Sequence, residues 1–276
     1  MPAPDLYAVI GHPVEHSKSP EIHTRFAAQT GQQLSYERLP APLDGFAQTV
    51  QNFIREGGRG ANVTVPFKQE ALRLATRLSP RALAAGAVNT LKFDGAEIFG
   101  DNTDGVGLVA DLIQNAGLSL AGKSILLLGA GGAARGVILP LLQQAPARLV
   151  VVNRSAARAL ELAQRFAAQG PLTASDFAGL KEPFDFIINA TSASLQGQAP
   201  PLPAEVFGAA TFCYDLMYGA QPTVFMQLAS RHGASVRDGL GMLVEQAAEA
   251  FFLWRGVHPA TAPVLAELRA KMVPAA

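Results

Sequence analysis

The sequence predicts an α/β protein with two domains, and three observations support this. The chain has 276 residues, and a domain commonly contains about 100–200 residues. Short apolar runs alternate with segments whose apolar residues recur at helical spacing, which is the rhythm of β-α-β units. The run SILLL at 124–128 is almost wholly apolar, as in a central parallel strand covered on both faces. We therefore expect an α/β domain over residues 1–104, a doubly wound parallel sheet over 105–239, and C-terminal helices over 240–276.

Composition excludes several classes of protein. Lys and Arg total 22, as do Asp and Glu, so a net charge of zero gives no basic surplus for nucleic acid. A single cysteine excludes a disulfide framework and a Cys-rich metal site. No apolar run approaches the roughly 20 residues that span a membrane, and the first residues lack the pattern of a signal peptide. We expect a cytoplasmic monomer or homodimer with no nucleic acid or membrane partner.

The first block is predicted to contain strands at short apolar runs that stop at Gly, Pro or Asp-Gly. Its first helix should open with Ser19 as N-cap and Pro20 at the first helical position. A second helix should stop at Gly57-Gly58, and Asp94-Gly95 between two runs predicts a hairpin. The predicted strands are 6–10, 35–39, 61–65, 88–93 and 97–99.

The second block alternates strands and helices after a helix predicted over 106–116 and ended by Gly117. A Gln/Pro-rich stretch at 196–203 has no periodicity and is predicted to be a surface loop. The remaining predicted strands are 124–128, 149–152, 186–189 and 212–216, and the remaining predicted helices are 132–142, 156–168, 223–231 and 242–254.

A glycine-rich turn follows the apolar strand and opens a helix. Gly129, Gly131 and Ala134 occupy the glycine positions of the fingerprint G-x-G-x-x-G/A. Glycines there allow a tight turn and close backbone approach to a pyrophosphate, which binds at the positive end of the helix. The placement between strand and helix predicts a dinucleotide site; the alternative is a βα turn without a ligand.

The residues after the next strand indicate which dinucleotide would bind. An NAD site commonly carries Asp or Glu about 20 residues downstream to bind the ribose hydroxyls. Here Asn153-Arg154-Ser155 occupy that place, and Arg158 follows one turn later. Two guanidinium groups can bind a 2′-phosphate and stack on adenine, which favours NADP over NAD. The alternative is two surface arginines, although cations at a helix N-terminus oppose its dipole.

Four segments of the first block place polar groups near predicted strand ends. Taken singly, each has an ordinary explanation, such as a helix cap, a turn residue or a solvated lysine. Together they offer hydroxyls, amides, one amine and one carboxylate, which suit a small polyhydroxylated acid. The segments are HSKSP at 16–20, NVTVPFK at 62–68, AVNT at 87–90 and GDNTDG at 100–105.

The ordered motifs resemble those of the shikimate dehydrogenases. The resemblance extends from GHPVEHSKSPEIH to DGLGMLVEQAAEAF and includes GANVTVPFK, AGAVNT, GDNTDG, GAGGAARG, NRS, NATS and YDLMY. It implies an N-terminal α/β substrate domain, a Rossmann-like NADP-binding domain, a cleft between them, and C-terminal helices that return to the substrate domain. It also implies NADPH-dependent, reversible reduction of 3-dehydroshikimate to shikimate, a step towards chorismate and the aromatic amino acids.

The resemblance implies roles for individual residues. Lys68 and Asp104 would form the catalytic pair. No metal is implied: of His12, His16 and His23, the first two flank a turn that contains proline, and the carboxylates near them in the sequence are only Glu15 and Glu21. The substrate would be bound by Ser17, Ser19, Thr64, Asn89, Tyr218 and Gln246. NADP would be bound by Gly129, Ala130, Gly131, Gly132, Ala133, Asn153, Arg154, Ser155, Arg158, Leu216 and Gly239.

The implied chemistry explains the catalytic pair. Transfer of a hydride to a ketone places negative charge on its oxygen, which a lysine can stabilise and protonate, and an adjacent carboxylate orients the lysine. A quinate/shikimate dehydrogenase with relaxed substrate choice is one alternative, and a non-catalytic NADP-binding regulator is another. Asn153-Arg154 argues against NAD and leaves quinate open, whereas Lys68 with Asp104 argues against a regulator.

Overall fold

The computed structural model describes residues 3–191 and 197–272, and it divides into two compact units. Of the described residues, the first unit contains 3–107 and 244–266, and the second contains 108–191, 197–243 and 267–272. The resemblance implies C-terminal helices over 240–276 that return to the substrate domain. Of these residues, 244–266 group with the first unit and 240–243 and 267–272 with the second, and 273–276 lie outside the described residues.

The first unit is built on a six-stranded mixed sheet with the order β2-β1-β3-β5-β6-β4. β1 pairs in parallel with both β2 and β3, whereas β5 is antiparallel to its two neighbours. The predicted hairpin is present, because β5 and β6 join through Asp94-Gly95. The strands are β1 (Asp5–Gly11), β2 (Leu34–Pro40), β3 (Gly58–Val63), β4 (Arg77–Leu78), β5 (Thr90–Asp94) and β6 (Glu97–Asp101).

Helices flank this sheet, and the first of them corrects one prediction. Lys18, not Ser19, is the N-cap, and it makes no side-chain capping bond; Ser19 is the first helical residue, and Pro20 follows it. The fifth helix starts at Asp104, two residues earlier than predicted, and a π-helical turn at Asp111–Asn115 follows it. The helices are α1 (Ser19–Thr30), α2 (Phe46–Arg55), α3 (Lys68–Leu74), α4 (Pro80–Ala85) and α5 (Asp104–Ala110).

The second unit contains a six-stranded, wholly parallel sheet with the order β12-β11-β10-β7-β8-β9. This is the doubly wound order, whose topological switch point lies between β7 and β10. β9 and β12 were not predicted from the sequence, because each has only four residues and no continuous apolar run. The strands are β7 (Ser124–Leu128), β8 (Arg148–Val152), β9 (Leu172–Ser175), β10 (Phe184–Asn189), β11 (Phe207–Asp215) and β12 (Ser235–Asp238).

The remaining helices complete the two units, and α10, for which no bounds were predicted, is the second of the C-terminal helices expected over 240–276. The predicted loop at 196–203 is described from Gly197 onward and contains no helix or strand there. Within the described residues, every helix is too short or too polar to cross a membrane. These helices are α6 (Gly132–Leu142), α7 (Ala156–Arg165), α8 (Val224–Arg231), α9 (Leu240–Arg255) and α10 (Thr261–Met272).

A fully buried carboxylate lies in the second unit. Asp111 has no exposed surface and accepts two hydrogen bonds from the Arg237 guanidinium, at 2.8 and 2.7 Å. The Tyr214 hydroxyl donates to the same carboxylate at 2.7 Å. Gly241 leaves the space for this cluster, since a Cβ atom there would lie 1.9 Å from Asp111 Oδ1. The cluster therefore joins the π-helical turn to β11, β12 and the start of α9.

We predict that Gly241→Ala destabilises the protein, because the added methyl group must displace the Asp111 carboxylate from its partners. Breaking a buried ion pair costs about 3 kcal/mol, which lowers the melting temperature by roughly 6–12 °C. Gly219→Ala is the matched control, since its Cβ would meet only Gln221 backbone at 3.5 Å or more. Equal melting temperatures for the two variants, measured by calorimetry, would contradict the prediction.

Candidate active site

Lys68 and Asp104 are in direct contact in the first unit. Lys68 Nζ donates a hydrogen bond to Asp104 Oδ2 at 2.6 Å. The two side chains are 31% and 13% exposed, so solvent reaches the amine while most of the carboxylate is covered. Each residue begins a helix, Lys68 in α3 and Asp104 in α5. An ammonium group with one stable anionic neighbour and an open side can stabilise or protonate a bound oxygen.

The strand directions of the mixed sheet bring a third candidate to this pair. Lys68 follows β3 by a short turn, and Asp104 follows β6. Because β5 is antiparallel to both of these strands, its first residues lie at the end of the sheet where β3 and β6 finish. Asn89 directly precedes β5, and its Nδ2 donates to Asp104 Oδ1 at 2.8 Å. Both carboxylate oxygens of Asp104 are therefore bound by donors of the first unit.

Gln246 joins this group from α9. Its Oε1 accepts hydrogen bonds from Asn89 Nδ2 and from Thr103 Oγ1, each at 3.3 Å. Asn89 Oδ1 in turn accepts from the backbone N–H of Thr103 at 2.9 Å. Lys68, Asn89, Asp104 and Gln246 thus form one connected polar group, although they come from four separate segments of the chain.

The loop that leads into Asp104 is anchored by a second carboxylate. Asp101 accepts a bidentate pair of hydrogen bonds from Arg81, at 2.7 and 2.6 Å, and Arg81 also donates to Glu249 at 2.8 Å. Burial raises the pKa of Asp101, but the hydrogen bonds and charge of Arg81 outweigh burial and lower it. Asn102 accepts from the backbone N–H of Asp104 at 3.2 Å. These contacts fix the backbone from which the Asp104 side chain projects.

Ser17 and Ser19 form a separate small group at the start of α1. Ser17 Oγ accepts from the Ser19 backbone N–H at 3.2 Å, and the Ser17 carbonyl oxygen accepts from Arg38 at 2.6 and 3.1 Å. The methyl group of Thr64 packs against Gly11, and a Cβ atom added at Gly11 would lie only 2.4 Å from that methyl carbon. The hydrogen bonds of the described residues do not connect Ser17, Ser19 or Thr64 directly to the Lys68–Asp104 pair.

The glycine-rich turn of the second unit borders a cavity of about 390 Å³. Gly129 has a φ of +107° and donates its N–H to the Val152 carbonyl at 2.8 Å, which fixes the turn against β8. At Gly131 and Gly132 a Cβ atom would meet no atom of the described residues within 4 Å. Gly131 is the N-cap of α6, and the first N–H groups of a helix, which have no partner within the helix, can bind an anion. The residues of the turn that line the cavity are Gly129, Ala130, Gly131, Gly132 and Ala133.

Asn153 and Arg154 line the same cavity where β8 ends. Asn153 Nδ2 donates to the Ser155 carbonyl at 3.1 Å, which holds the loop after β8. In the described part of the chain, neither Arg154 nor Arg158 forms an ion pair with a carboxylate. Arg158 lies in the first turn of α7 and does not line this cavity. A glycine cradle, a helix N-terminus and an uncompensated arginine together fit a dinucleotide with an extra phosphate.

Leu216 and Gly239 are also brought together in the second unit. A Cβ atom at Gly239 would lie 2.2 Å from the Leu216 carbonyl oxygen, so only glycine fits there. The Gly239 N–H donates to the Met217 carbonyl at 3.0 Å. Tyr218 follows, partly buried; burial first, and then the charge of Asp238, raise the pKa of its hydroxyl.

Several residues near the site had no role predicted from the sequence. Arg38 holds the Ser17 carbonyl, and Arg81 holds Asp101. Neither arginine lies in a recognisable motif. Each contacts a partner about 20 residues away in the chain, and only the folded sheet brings the two together. Asn62 and Thr90 lie within the polar segments singled out above, but only their hydrogen bonds reveal what they contact.

Three family models match the chain. Residues 9–91 match the shikimate dehydrogenase substrate binding domain. Residues 111–196 match the model described as shikimate / quinate 5-dehydrogenase. Residues 239–269 match the shikimate 5′-dehydrogenase C-terminal domain. The three models follow one another in the order of the motifs found in the sequence.

Individual relatives match over nearly the whole chain. A shikimate dehydrogenase (NADP(+)) of Herminiimonas arsenicoxydans is 66% identical over 97% of this chain and 98% of its own. The crystal structure of an Ael1 enzyme from Pseudomonas putida is 48% identical with a TM-score of 0.93, covering 96% of this chain and 98% of that one. The shikimate 5-dehydrogenase of Thermus thermophilus, in complex with NADP(H) and shikimate, is 35% identical with a TM-score of 0.86, covering 98% and 100%. The chain therefore belongs to the shikimate dehydrogenase family.

Proposed function

We propose that the chain catalyses the NADPH-dependent, reversible reduction of 3-dehydroshikimate to shikimate, a step of chorismate and aromatic amino-acid biosynthesis. The observation that carries the proposal is the contact of Lys68 Nζ with Asp104 Oδ2 at 2.6 Å. Family membership and the NADP(+)-dependent relatives support the same reaction and cofactor. A protein that only bound these ligands would need neither a proton donor nor a carboxylate to orient it.

The chemistry follows from the charge that develops during reduction. When bound, NADPH supplies the hydride. The Lys68 ammonium group lies beside the carbonyl oxygen of the substrate, stabilises the negative charge that forms on it, and donates the proton that completes the alcohol. Asp104 holds this ammonium group in place through Oδ2, while Asn89 binds the other carboxylate oxygen. In the reverse direction Lys68 accepts the proton from the hydroxyl group.

The polar groups of the first unit suit the rest of the substrate. Ser17 and Ser19 bind its carboxylate. Arg38 donates to the Ser17 carbonyl oxygen and so places a positive charge close to these serines. A charge-assisted environment of this kind favours an acid over a neutral sugar. The hydroxyl groups of the substrate are bound by residues with both donors and acceptors, namely Thr64, Asn89, Tyr218 and Gln246.

The second unit binds NADP through backbone and guanidinium groups. The turn from Gly129 to Ala133 and the N-terminus of α6 bind the pyrophosphate. Arg154, with Asn153, Ser155 and Arg158, binds the 2′-phosphate and adenosine. Leu216 and Gly239 lie beside the nicotinamide, and the absence of a side chain at Gly239 lets its backbone approach the Leu216 carbonyl closely.

We also propose that the first unit is the substrate domain and that the chain acts in the cytoplasm as a monomer or homodimer. The single cysteine, Cys213, is fully buried, and burial raises its pKa to about 12, so it is an inert thiol suited to a reducing compartment.

A four-way assay tests the proposal against its alternatives. Shikimate or quinate is combined with NADP or NAD, and reduction of the cofactor is followed by absorbance. We expect the highest kcat/KM for shikimate with NADP. Equal rates with quinate would instead indicate a quinate/shikimate dehydrogenase, which the name of one matching family model also includes. No absorbance change with any pair, in protein shown to bind NADP, would indicate a non-catalytic regulator.

Lys68→Ala should lower kcat by about 10²–10⁴-fold, because proton transfer from a positioned group contributes roughly that factor. The KM for shikimate should change little, since the lost interaction forms mainly in the transition state. Lys123→Ala is the matched control, because Lys123 also contacts a carboxylate, Asp185, at 3.1 Å but belongs to the second unit. Steady-state kinetics measure both, and a Lys68→Ala variant with the kcat of the parent would refute the assignment.

Arg154→Ala should weaken NADP binding far more than NAD binding. Loss of one charge-assisted contact to the 2′-phosphate costs about 1.5–3 kcal/mol, which corresponds to roughly 10–150-fold in Kd. Calorimetric titration with each cofactor measures the difference. Arg231→Ala, which removes an exposed arginine that does not line the cavity, should leave both affinities unchanged. Equal losses for NADP and NAD in Arg154→Ala would show that the arginine does not contact the 2′-phosphate.

A further inference from the structure

The first unit contains a buried polar network that the proposed chemistry does not use. Its centre is Asn62 on β3, which is 6% exposed. Asn62 Oδ1 accepts hydrogen bonds from the Tyr36 hydroxyl at 2.7 Å and from His23 Nε2 at 3.1 Å. Asn62 Nδ2 donates to Thr90 Oγ1 at 3.1 Å and to the Asn89 carbonyl oxygen at 3.3 Å. Asn62 and Thr90 thus contact Asn89, the residue that binds Asp104, and Tyr36 and His23 are linked to it through Asn62.

The direction of each hydrogen bond in this network is fixed by its partners. The Asn89 carbonyl oxygen can only accept, so it must face the Nδ2 group of Asn62. Asn62 Oδ1 therefore faces Tyr36 and His23, and both must donate to it. His23 is the neutral tautomer with its proton on Nε2, because complete burial lowers its pKa to about 3. Its stacking on the Tyr36 ring, at 4.4 Å between centroids, holds the imidazole in this position.

The donors and acceptors between Asn62 and Asp104 are fixed in the same way. Thr90 Oγ1 accepts from Asn62, so its own proton is free to donate to Asn89 Oδ1 at 2.9 Å. The backbone N–H of Thr103 donates to the same Oδ1 at 2.9 Å. With two donors on its oxygen, the Asn89 amide can point only its Nδ2 group towards Asp104. A rotated amide would instead place its oxygen against the Asp104 carboxylate, where the two would repel.

We propose that Thr90, oriented by Asn62, is a positioning residue that locks the Asn89 amide in the orientation that donates to Asp104. Thr90 has no exposed surface, so it acts through Asn89 and does not touch the substrate. The effect of Thr90 on turnover rests on the proposed function, in which Asp104 orients Lys68. The effect of Thr90 on the orientation of the Asn89 amide can be observed whether or not the protein is active.

Thr90→Val and Thr90→Ser test the proposal as a matched pair. Valine keeps the shape of threonine and removes the hydroxyl group, whereas serine keeps the hydroxyl. We expect kcat for shikimate oxidation to fall roughly tenfold in Thr90→Val, which corresponds to one lost hydrogen bond, and to return to within about twofold of the parent in Thr90→Ser. The Kd for NADP, which is bound by the second unit, should be the same in all three proteins.

Thr211→Val is the control for the general cost of losing a buried threonine hydroxyl. Thr211 is 3% exposed in the second unit, donates to the Phe184 carbonyl at 2.7 Å and accepts from the Gly208 N–H at 2.8 Å. Thr211→Val should lower the melting temperature, as Thr90→Val does, but it should leave kcat unchanged. A Thr90→Val variant that loses stability but keeps the kcat of the parent would overturn the proposal, because Thr90 would then be merely structural.

A second readout follows the Asn89 amide itself by NMR. The side-chain NH₂ group should give one sharp, exchange-protected pair of signals in the parent and in Thr90→Ser, and broadened or doubled signals in Thr90→Val. If the parent proves inactive on shikimate, the proposed function fails while this measurement still decides the positioning role. If Thr90→Val does not fold, Tyr36→Phe, which removes a donor to Asn62, should broaden the same signals. Sharp, unchanged signals in whichever variant is measured would overturn the proposal.

Discussion

The contact between an ammonium group and a carboxylate in the first unit is the constraint on which the remaining structure depends. Lys68 and Asp104 are distant in the chain, and each is placed by the end of a strand, β3 and β6. The two strands run in the same direction, and β5, which lies between them, is antiparallel to both. A wholly parallel sheet with the same strand order would carry the start of β5, and with it Asn89, to the opposite end. The mixed topology is therefore what assembles the pair with its third partner.

The second unit solves a different problem with a different sheet. All of its strands are parallel, so every strand presents its carboxyl end at one edge, and the switch point between β7 and β10 opens a crevice there. In the proposed function this unit binds a pyrophosphate and a phosphate, for which backbone N–H groups and arginine side chains suffice because both groups are anions. The substrate proposed for the first unit carries hydroxyl, carboxylate and carbonyl groups, and distinguishing them requires fixed side-chain donors and acceptors.

Prediction from the sequence succeeded where a pattern is local. The apolar run of β7, the glycine turn after it and the Asp94-Gly95 hairpin each follow from neighbouring residues, and the α/β fold class is confirmed. The two-residue β4, together with β9 and β12, was not predicted, because strands this short contain too few residues for periodicity to register. Ser19 was wrongly predicted as N-cap, because its side chain faces the buried Tyr36 hydroxyl instead of the helix end.

The site was predictable in its residue types but not in its connections. Polar groups at strand ends indicated a polar ligand, and the family resemblance supplied Lys68 and Asp104. Neither source indicates that Asn62 joins His23 and Tyr36 to Thr90, because these partners come from four different elements and a single asparagine has no periodicity.

A neutral buried network also has a consequence that a charged one would lack. Unpaired polar groups are costly to bury, and a buried ion pair changes its hydrogen bonds when either partner titrates. Here burial lowers the pKa of His23 to about 3, and it raises the pKa of Tyr36 well above its usual value. Both groups therefore keep the same protons between mildly acidic and mildly alkaline pH, so the donors on Asn62 do not change. The orientation of Asn89 is then independent of pH across that range, and the dependence of turnover on pH must originate in groups outside the network.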